Sequence, residues 1–226
     1  FAARLRAASE AAFWDADLGL YVDNRPWLAE DGAPRTHDRT LATAVLHGLV
    51  PGGATAAIAR ELAEMPSRCG RSYPANAGWR LTALARLGRA DAVVHDLRTR
   101  WATMPSIREN GTLSEIWSPA LNSYDEWSHC PLDAINVVIQ ELVGLRPEAP
   151  GFARWRLQPR LSDLGDMRLD AHTVGGCFHI RTWRTDSGQR LELTVPAGVG
   201  PGRIITEGKE RTVAPGTTLT LELSAH

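Results

Sequence analysis

Apolar residues in the first part of the chain recur every three or four positions, which is the spacing of helices that bury one face. Turns that contain Gly or Pro separate these segments, so the pattern predicts a bundle or a ring of helical hairpins. The predicted helices are one at the start of the chain, one capped by Thr36, and further helices over residues 54–65, 76–87, 90–101 and 131–143.

After a linker that contains Pro147, Pro150 and Gly151, the apolar residues alternate with polar ones. This period of two is typical of strands with one buried face, and Asp-Ser-Gly at residues 186–188 is typical of a hairpin turn. We therefore predict an α+β multidomain chain, with a helical domain over residues 1–146 and a small antiparallel β-sandwich over residues 147–226.

Composition excludes several classes of function. The net charge of −1 gives no basis for binding nucleic acid or an anionic membrane, and no apolar run reaches the roughly 20 residues that span a bilayer. The three cysteines, Cys69, Cys130 and Cys177, are too few and too widely spaced for a disulfide framework or a zinc site. No metal and no cofactor is predicted, and the compartment is left open, with the cytoplasm favoured over secretion.

One long connection, residues 102–130, lacks a helical period and is rich in aromatic and polar residues. Long ordered loops in compact domains are often functional. Glu115 stands two residues before Trp117, and a carboxylate among aromatic rings is typical of sites that cleave sugars, because carboxylates transfer the protons and flat rings bury the apolar faces of pyranoses. Tyr124, Trp127 and His129 follow in the same segment as candidate substrate contacts.

Each candidate also has a structural interpretation. The alternative interpretation is a solvated loop residue for Glu115 and Tyr124, a core residue for each of the two tryptophans, and a helix cap or packed residue for His129. His37 lies at the start of a helix that could point into a central cavity of a helical ring, although a capping box with a solvated first turn explains it as well. Residues 71–73 precede another helix and are weaker candidates for contact with sugar.

Several short motifs resemble the C-terminal half of the bacterial α-L-rhamnosidases, glycoside hydrolase family 78. That family carries a Trp and a Met before a Gly-x-Thr-Thr-x-Trp-Glu-x-Trp stretch, then an Asn/Ser-His pair, a Gly-Ile-x-Pro, a Pro-Gly-Phe and a Gly-x-Ile-x-Val-x-Trp strand. The matching positions here are Trp101, Met104, Gly111, Thr112, Glu115, Trp117, Ser128-His129, Gly144–Pro147, Pro150–Phe152 and residues 175–183.

The resemblance implies an (α/α)6 toroid followed by a β-sandwich, and an inverting glycosidase that releases terminal α-L-rhamnose from a rhamnoside. It implies that Glu115 is the general base and that His129, Trp117, Trp127, Tyr124 and His37 bind substrate. Ser114 departs from the family pattern, which has Trp there, and the family's acid-bearing segment lies upstream of the matched region. The chain is therefore expected to need the upstream half of the toroid or a partner chain.

Two other functions stay open on the sequence. A toroid-fold polysaccharide lyase could use Tyr124 and His129 to abstract a proton. A non-catalytic fragment that binds sugar would explain the altered motif around Ser114.

Overall fold

The computed structural model describes residues 1–23, 32–118, 128–186 and 188–224. The chain divides into two compact units, Phe1–Ile135 and Asn136–His226. Helices dominate the first unit and strands the second, which confirms an α+β architecture in this order. No helix in the described part of the chain has the length and apolarity needed to cross a membrane.

Most of the helices lie close to the predicted ranges, although the first helix buries none of its residues. Their bounds are α1 Ala2–Phe13, α2 Asp38–Leu46, α3 Thr55–Glu64, α4 Pro74–Arg86, α5 Ala90–Asp96, which continues as a π-helical turn Leu97–Trp101, α6 Pro105–Asn110, and α7 Asp133–Val137, which runs into a second π-helical stretch Val138–Val143.

Helices α2 and α4 form the centre of the helical core. Leu41 and Ala42 on α2 and Leu81 and Leu84 on α4 are completely buried. Gly78 of α4 admits a very close neighbour, because a Cβ atom there would lie 2.3 Å from Cβ of Asp133. Because Gly78 has no side chain, the start of α7 can approach the backbone of α4.

Several predicted helix ends are wrong by one or two residues. Helix α2 begins at Asp38 with His37 as its cap, while Thr36 lies in a short strand. Helix α4 begins at Pro74, whose missing N–H suits a first turn, and not at Asn76. The stretch 102–130 also contains a helix that the period did not reveal, because the six residues of α6 are too few for a periodic pattern.

Within the described ranges, the strands pair in four groups. The bounds are β1 Trp14–Asp15 with β2 Leu20–Tyr21, β3 Thr36–His37 with β4 Cys69–Gly70, a sheet of β5 Leu145–Pro147, β6 Trp155–Leu157, β10 Gly202–Thr206 and β11 Lys209–Val213, and a sheet of β7 Met167–Thr173, β8 Gly176–Thr185, β9 Gly188–Thr194 and β12 Thr218–Ser224.

The two four-stranded sheets share one hydrophobic core. Trp155 of β6 and Phe178 of β8 are completely buried, and their rings meet edge to face with centroids 5.1 Å apart. The second sheet is antiparallel throughout its pairs, whereas β6 and β10 in the first run parallel. The expectation of a wholly antiparallel domain is therefore wrong at this one pair.

Candidate functional site

The candidate segment begins where helix α6 ends. Gly111 adopts a left-handed backbone (φ 68°), and its N–H bonds back to the carbonyl oxygen of Ile107. Ser114 follows in the irregular stretch, completely buried, and its Oγ donates to the carbonyl oxygen of Ile116 at 2.8 Å. This internal bond fixes the backbone on both sides of Glu115.

Glu115 itself points into solvent. Its side chain is exposed, and among the described residues it takes part in no hydrogen bond or ion pair. A carboxylate in this state has direct access to water and to any ligand that approaches the segment. The arrangement permits a role in proton transfer, and it equally fits a solvated loop residue.

Trp117, two residues later, is held from three directions. Its Nε1 donates to the carbonyl oxygen of Ser72 at 2.9 Å. Its ring meets Trp101 edge to face, with centroids 5.2 Å apart, and the guanidinium carbon of Arg100 lies 3.9 Å from the ring centroid. A cation over an indole face adds attraction to the packing, so the ring position is strongly determined.

The buried ion pair of Arg80 with Asp96 contacts the aromatic pair of Trp101 and Trp117 at Trp101. Asp96 accepts a hydrogen bond from Nε1 of Trp101 at 3.2 Å, and its Oδ1 lies 3.0 Å from Nη1 of Arg80. Nη1 of Arg80 has no hydrogen-bond partner among the described residues, so its contact with Asp96 is electrostatic. Nε of the same guanidinium donates to the carbonyl oxygen of Leu62 at 2.7 Å. Burial lowers the pKa of Arg100, which also faces Asp96 at 3.5 Å.

The π-helical turn Leu97–Trp101 places these groups. It extends α5 by one wide turn, and π-helical turns occur frequently at functional sites. Asp96, Arg100 and Trp101 therefore lie at one end of α5, where the two side chains of the turn can both reach the carboxylate.

A second buried carboxylate lies beside Ser72. Asp38, the first residue of α2, accepts from the N–H of Ser72 at 3.0 Å and from its Oγ at 2.6 Å. The Nδ1 atom of His37 lies 3.0 Å from Oδ1 of Asp38 and also accepts the N–H of Arg39. The expected solvated first turn is therefore wrong for Asp38, which is almost completely buried.

These contacts join two of the predicted site residues into one network. His37 reaches Trp117 through Asp38 and Ser72. His129 is exposed, next to the short 3₁₀ turn Cys130–Leu132, and the described contacts do not connect it with Glu115. Tyr124 and Trp127 lie outside the described residues.

Four members of the network did not emerge from the sequence. Asp38, Arg80, Asp96 and Arg100 are charged residues at helical positions, and in the sequence such residues look like parts of a solvated face. The one available signal is that Asp96 and Arg100 stand at the spacing of a helical ion pair, next to a tryptophan.

A polar cleft of about 520 Å³ lies along the charged side of this network. Arg71, Arg80, Asp96 and Arg100 line it, whereas Glu115 and Trp117 do not. The cleft is thus a feature of the supporting network and is distinct from the segment that carries the candidate base. Among the described residues, the single group of three side chains suited to hold a metal ion lies elsewhere, on β7 and β8.

Comparison with known proteins gives a match to a family model and matches to solved structures. Residues 144–219 match the family model of the bacterial alpha-L-rhamnosidase C-terminal domain. The comparison with curated protein sequences gave no significant match.

Solved structures resemble nearly the whole chain. The alpha-L-rhamnosidase of Streptomyces avermitilis, solved in complex with L-rhamnose, superposes with a TM-score of 0.72 at 16% identity, over 97% of this chain and 24% of its own. The enzyme of Aspergillus terreus gives 0.70 at 19% identity, over 98% and 26%. The family 78 rhamnosidase of Bacillus sp. GL1 gives 0.69 at 18% identity, over 92% and 23%.

These matches confirm the resemblance to the C-terminal part of the α-L-rhamnosidases that the sequence motifs indicated. At such identities the structural matches establish the fold. The chain spans about a quarter of the length of these solved structures.

Proposed function

We propose that this chain, which resembles the C-terminal part of the family 78 α-L-rhamnosidases, belongs to a glycoside hydrolase that releases terminal α-L-rhamnose with inversion. In this proposal Glu115 is the general base, and the general acid comes from a residue outside the chain. The helical unit contributes hairpins to an (α/α)6 toroid, and the strands form a C-terminal β-sandwich with its boundary near residue 146.

The supporting observation is the placement of Glu115 beside an anchored indole. Ser114 is buried and hydrogen-bonded, and Trp117 is fixed by Ser72 and Arg100, so both flanks of Glu115 are rigid while its carboxylate faces solvent. A general base needs this combination, because it must meet water and also keep a fixed position relative to the sugar.

Inversion requires two carboxyl groups on opposite faces of the sugar ring. They stand roughly 6.5–9.5 Å apart, which leaves room for the water that the base activates. Glu115 would accept a proton from that water while the acid protonates the leaving oxygen. Asp38 and Asp96 are unsuitable as the acid, because each is buried and already engaged in holding its own neighbours.

The remaining predicted contacts keep their proposed roles. Trp117 and Trp127 would stack on a sugar face or on the C6 methyl group of rhamnose, and His129, Tyr124 and His37 would bind hydroxyl groups. For His37 the structure adds a reason: its Nδ1 accepts the backbone N–H of Arg39, which leaves Nε2 to donate to another partner.

Apolar residues on the surface of the helical unit support a further covering segment or partner chain. Tyr73 is 62% exposed and Trp79 is 42% exposed, at the start and in the middle of α4. Leu132 and Ile135 are about half exposed around the start of α7. Large apolar side chains left open in this way are typical of surfaces that another part of a protein covers.

Hydrolysis of p-nitrophenyl α-L-rhamnopyranoside tests the proposal, measured with the complete protein that carries this chain and with the chain alone. We expect activity in the complete protein and none in the chain alone. Glu115→Gln should lower kcat by at least about a hundredfold, since general-base catalysis typically contributes 10²–10⁴-fold, while rhamnose binding survives.

Glu109→Gln is the matched control, because Glu109 is an exposed glutamate of the same segment, and it should leave the rate unchanged. A loss of less than tenfold in Glu115→Gln would reject Glu115 as the base. An unsaturated product would indicate a lyase, and rhamnose binding without turnover in the complete protein would indicate a sugar-binding role.

A further inference from the structure

The outer face of strands β7 and β8 carries an unusual set of side chains next to their connecting turn. The antiparallel register pairs Asp170 with His179 and His172 with Cys177. Residues two apart on a strand share a face, so these two neighbouring rungs present Asp, His, Cys and His side by side. All four are ligand types that borderline divalent metals prefer.

Three of these side chains already converge. One ligand atom each from Asp170, Cys177 and His179 lies within 4.8 Å of the other two. Nδ1 of His179 is 2.7 Å from Oδ1 of Asp170 and 4.0 Å from Sγ of Cys177. Around a tetrahedral zinc ion the N–O and N–S separations are about 3.3 Å and about 3.5 Å. The contact of His179 with Asp170 must therefore open, and its contact with Cys177 must close, by roughly half an ångström each.

We propose that Asp170, Cys177 and His179 bind a divalent metal ion of the zinc type, with solvent in the fourth coordination position. Thiolate, imidazole and carboxylate together favour zinc over the calcium and magnesium ions that all-oxygen sites select. Cysteine spacing along the sequence does not reveal this group, because only the strand register brings the single cysteine to the other two ligands.

The surroundings suit such a site. Arg168 holds the other carboxylate oxygen of Asp170, with Nε 3.1 Å from Oδ2, and so leaves Oδ1 directed at His179. Hydrogen-bonded carboxylates of this kind are usual around metal ligands. Arg181 lies two residues after His179 on the same face of β8. Its guanidinium stacks over the ring of Trp183, 5.5 Å from the centroid.

The turn beside the site is fixed by hydrogen bonds. Oγ1 of Thr173 donates to the carbonyl oxygen of Gly176 at 2.7 Å and accepts the N–H of Gly175 at 3.1 Å. The ladder between β7 and β8 is continuous from Met167 to Thr173. Because the backbone is fixed on both strands, the proposal has the coordination completed by rotations of the three side chains.

Titration of the metal-stripped chain with Zn²⁺ by calorimetry, and with Co²⁺ by absorption spectroscopy, tests the site. We expect one equivalent of Zn²⁺ to bind and Co²⁺ to give a sulfur-to-cobalt charge-transfer band. Ca²⁺ and Mg²⁺ should give no heat of binding. Cys177→Ala should abolish the band and weaken Zn²⁺ binding by at least about tenfold, and His179→Ala should weaken it similarly.

Cys130→Ala is the matched control, because Cys130 is exposed and adjacent to His129 but belongs to no group of three ligands among the described residues. It should leave the band and the affinity unchanged. Both ligand substitutions lie on an exposed face, and far-ultraviolet circular dichroism checks that each variant folds. A band that survives in Cys177→Ala, or is lost in Cys130→Ala, would overturn the assignment, as would the absence of any Zn²⁺ binding. The assignment does not depend on the proposed hydrolase activity.

Discussion

Trp117 and Ser72, which are 45 residues apart in the chain, are joined by a hydrogen bond of 2.9 Å from the indole Nε1 to the backbone carbonyl oxygen. Ser72 in turn donates both its N–H and its hydroxyl to Asp38 at the start of α2. The bond therefore ties the irregular segment that carries Glu115 to the beginnings of two core helices, α2 and α4. Rigidity around Glu115 arises from this tie and not from regular secondary structure.

Trp117→Phe tests the tie. The substitution keeps an aromatic ring for Arg100 and Trp101 but removes the donor and leaves the carbonyl oxygen of Ser72 unpaired. We expect a loss of about 1–2 kcal/mol in the free energy of unfolding, measured by urea denaturation with far-ultraviolet circular dichroism. Trp183→Phe, on the outer face of β8, should change it by less than about 0.5 kcal/mol. Equal midpoints for the two variants would contradict the importance of this bond.

Periodicity predicted the helices well where apolar residues face a core. The third helix, expected over residues 54–65, runs from Thr55 to Glu64, and its buried side chains include Ile58 and Leu62. Periodicity did not locate the ends of elements that depend on local hydrogen bonds. An example is the start of α2, which His37 caps through its ring nitrogen. Short elements such as α6 are not detected by periodicity, because six residues complete fewer than two helical turns.

The sequence predicted fewer contacts of the candidate site than features of the fold. Asp38 is interpreted from sequence as a solvated first-turn carboxylate, because its partner Ser72 stands 34 residues away. Asp96 and Arg80 form a pair only after α4 and α5 pack together. Sequence patterns report which face of an element is apolar, whereas buried charges depend on partners that only the tertiary fold brings near. The roles of the six predicted site residues stay predictions.

Two Arg–Asp pairs of the helical unit differ in burial and should differ in energy. In the pair of Arg80 with Asp96 both side chains are more than 90% buried, whereas in the pair of Arg89 with Asp91 they are 40% and 60% exposed. We expect Arg80→Met to cost about 3 kcal/mol or more, because it leaves a buried carboxylate with one weaker cationic partner. Arg89→Met should cost less than about 1 kcal/mol.

Urea denaturation of both arginine variants at the same pH and salt concentration measures this difference. High salt should reduce the small effect at Arg89, which is screened by solvent, more than the effect at Arg80. A cost at Arg80 no larger than that at Arg89 would mean that the buried pair is dispensable for the helical core.

The thiol of Cys69 should be inert in the folded protein. Burial raises its pKa from the ordinary 9.0 to about 11. At pH 9 only about 1% of it would be thiolate, the reactive form. Iodoacetamide should therefore modify the exposed Cys130 rapidly and Cys69 only after unfolding, as peptide mass spectrometry at pH 8–9 will show. Comparable rates at the two positions would show that Cys69 is accessible.

The same shift has a consequence for stability. Because the folded state holds its proton on Cys69 up to about pH 11 and the unfolded state releases it near pH 9, the contribution is fully present below pH 9 and falls as pH rises through this window. Cys69→Ser should therefore show a shallower loss of stability between pH 9 and pH 11 than the unchanged chain. Parallel pH profiles would contradict the shift.

Gly202 in the β unit should not tolerate a side chain. A Cβ atom there would lie 2.0 Å from Cε2 of Trp155, and the indole cannot retreat, because its Nε1 donates to the carbonyl oxygen of Gly200 and its ring abuts Phe178. We expect Gly202→Ala to cost about 3 kcal/mol or more, at the upper end of overpacking. Gly52→Ala, where the added atom meets nothing within 4 Å, should be neutral or stabilise by up to about 1 kcal/mol. Thermal unfolding followed by near-ultraviolet circular dichroism reports on the packing of the tryptophans, and Trp155 is one of eight that contribute to this signal. An unchanged tryptophan signal and melting temperature in Gly202→Ala would show that β6 and β10 can separate without loss of the core.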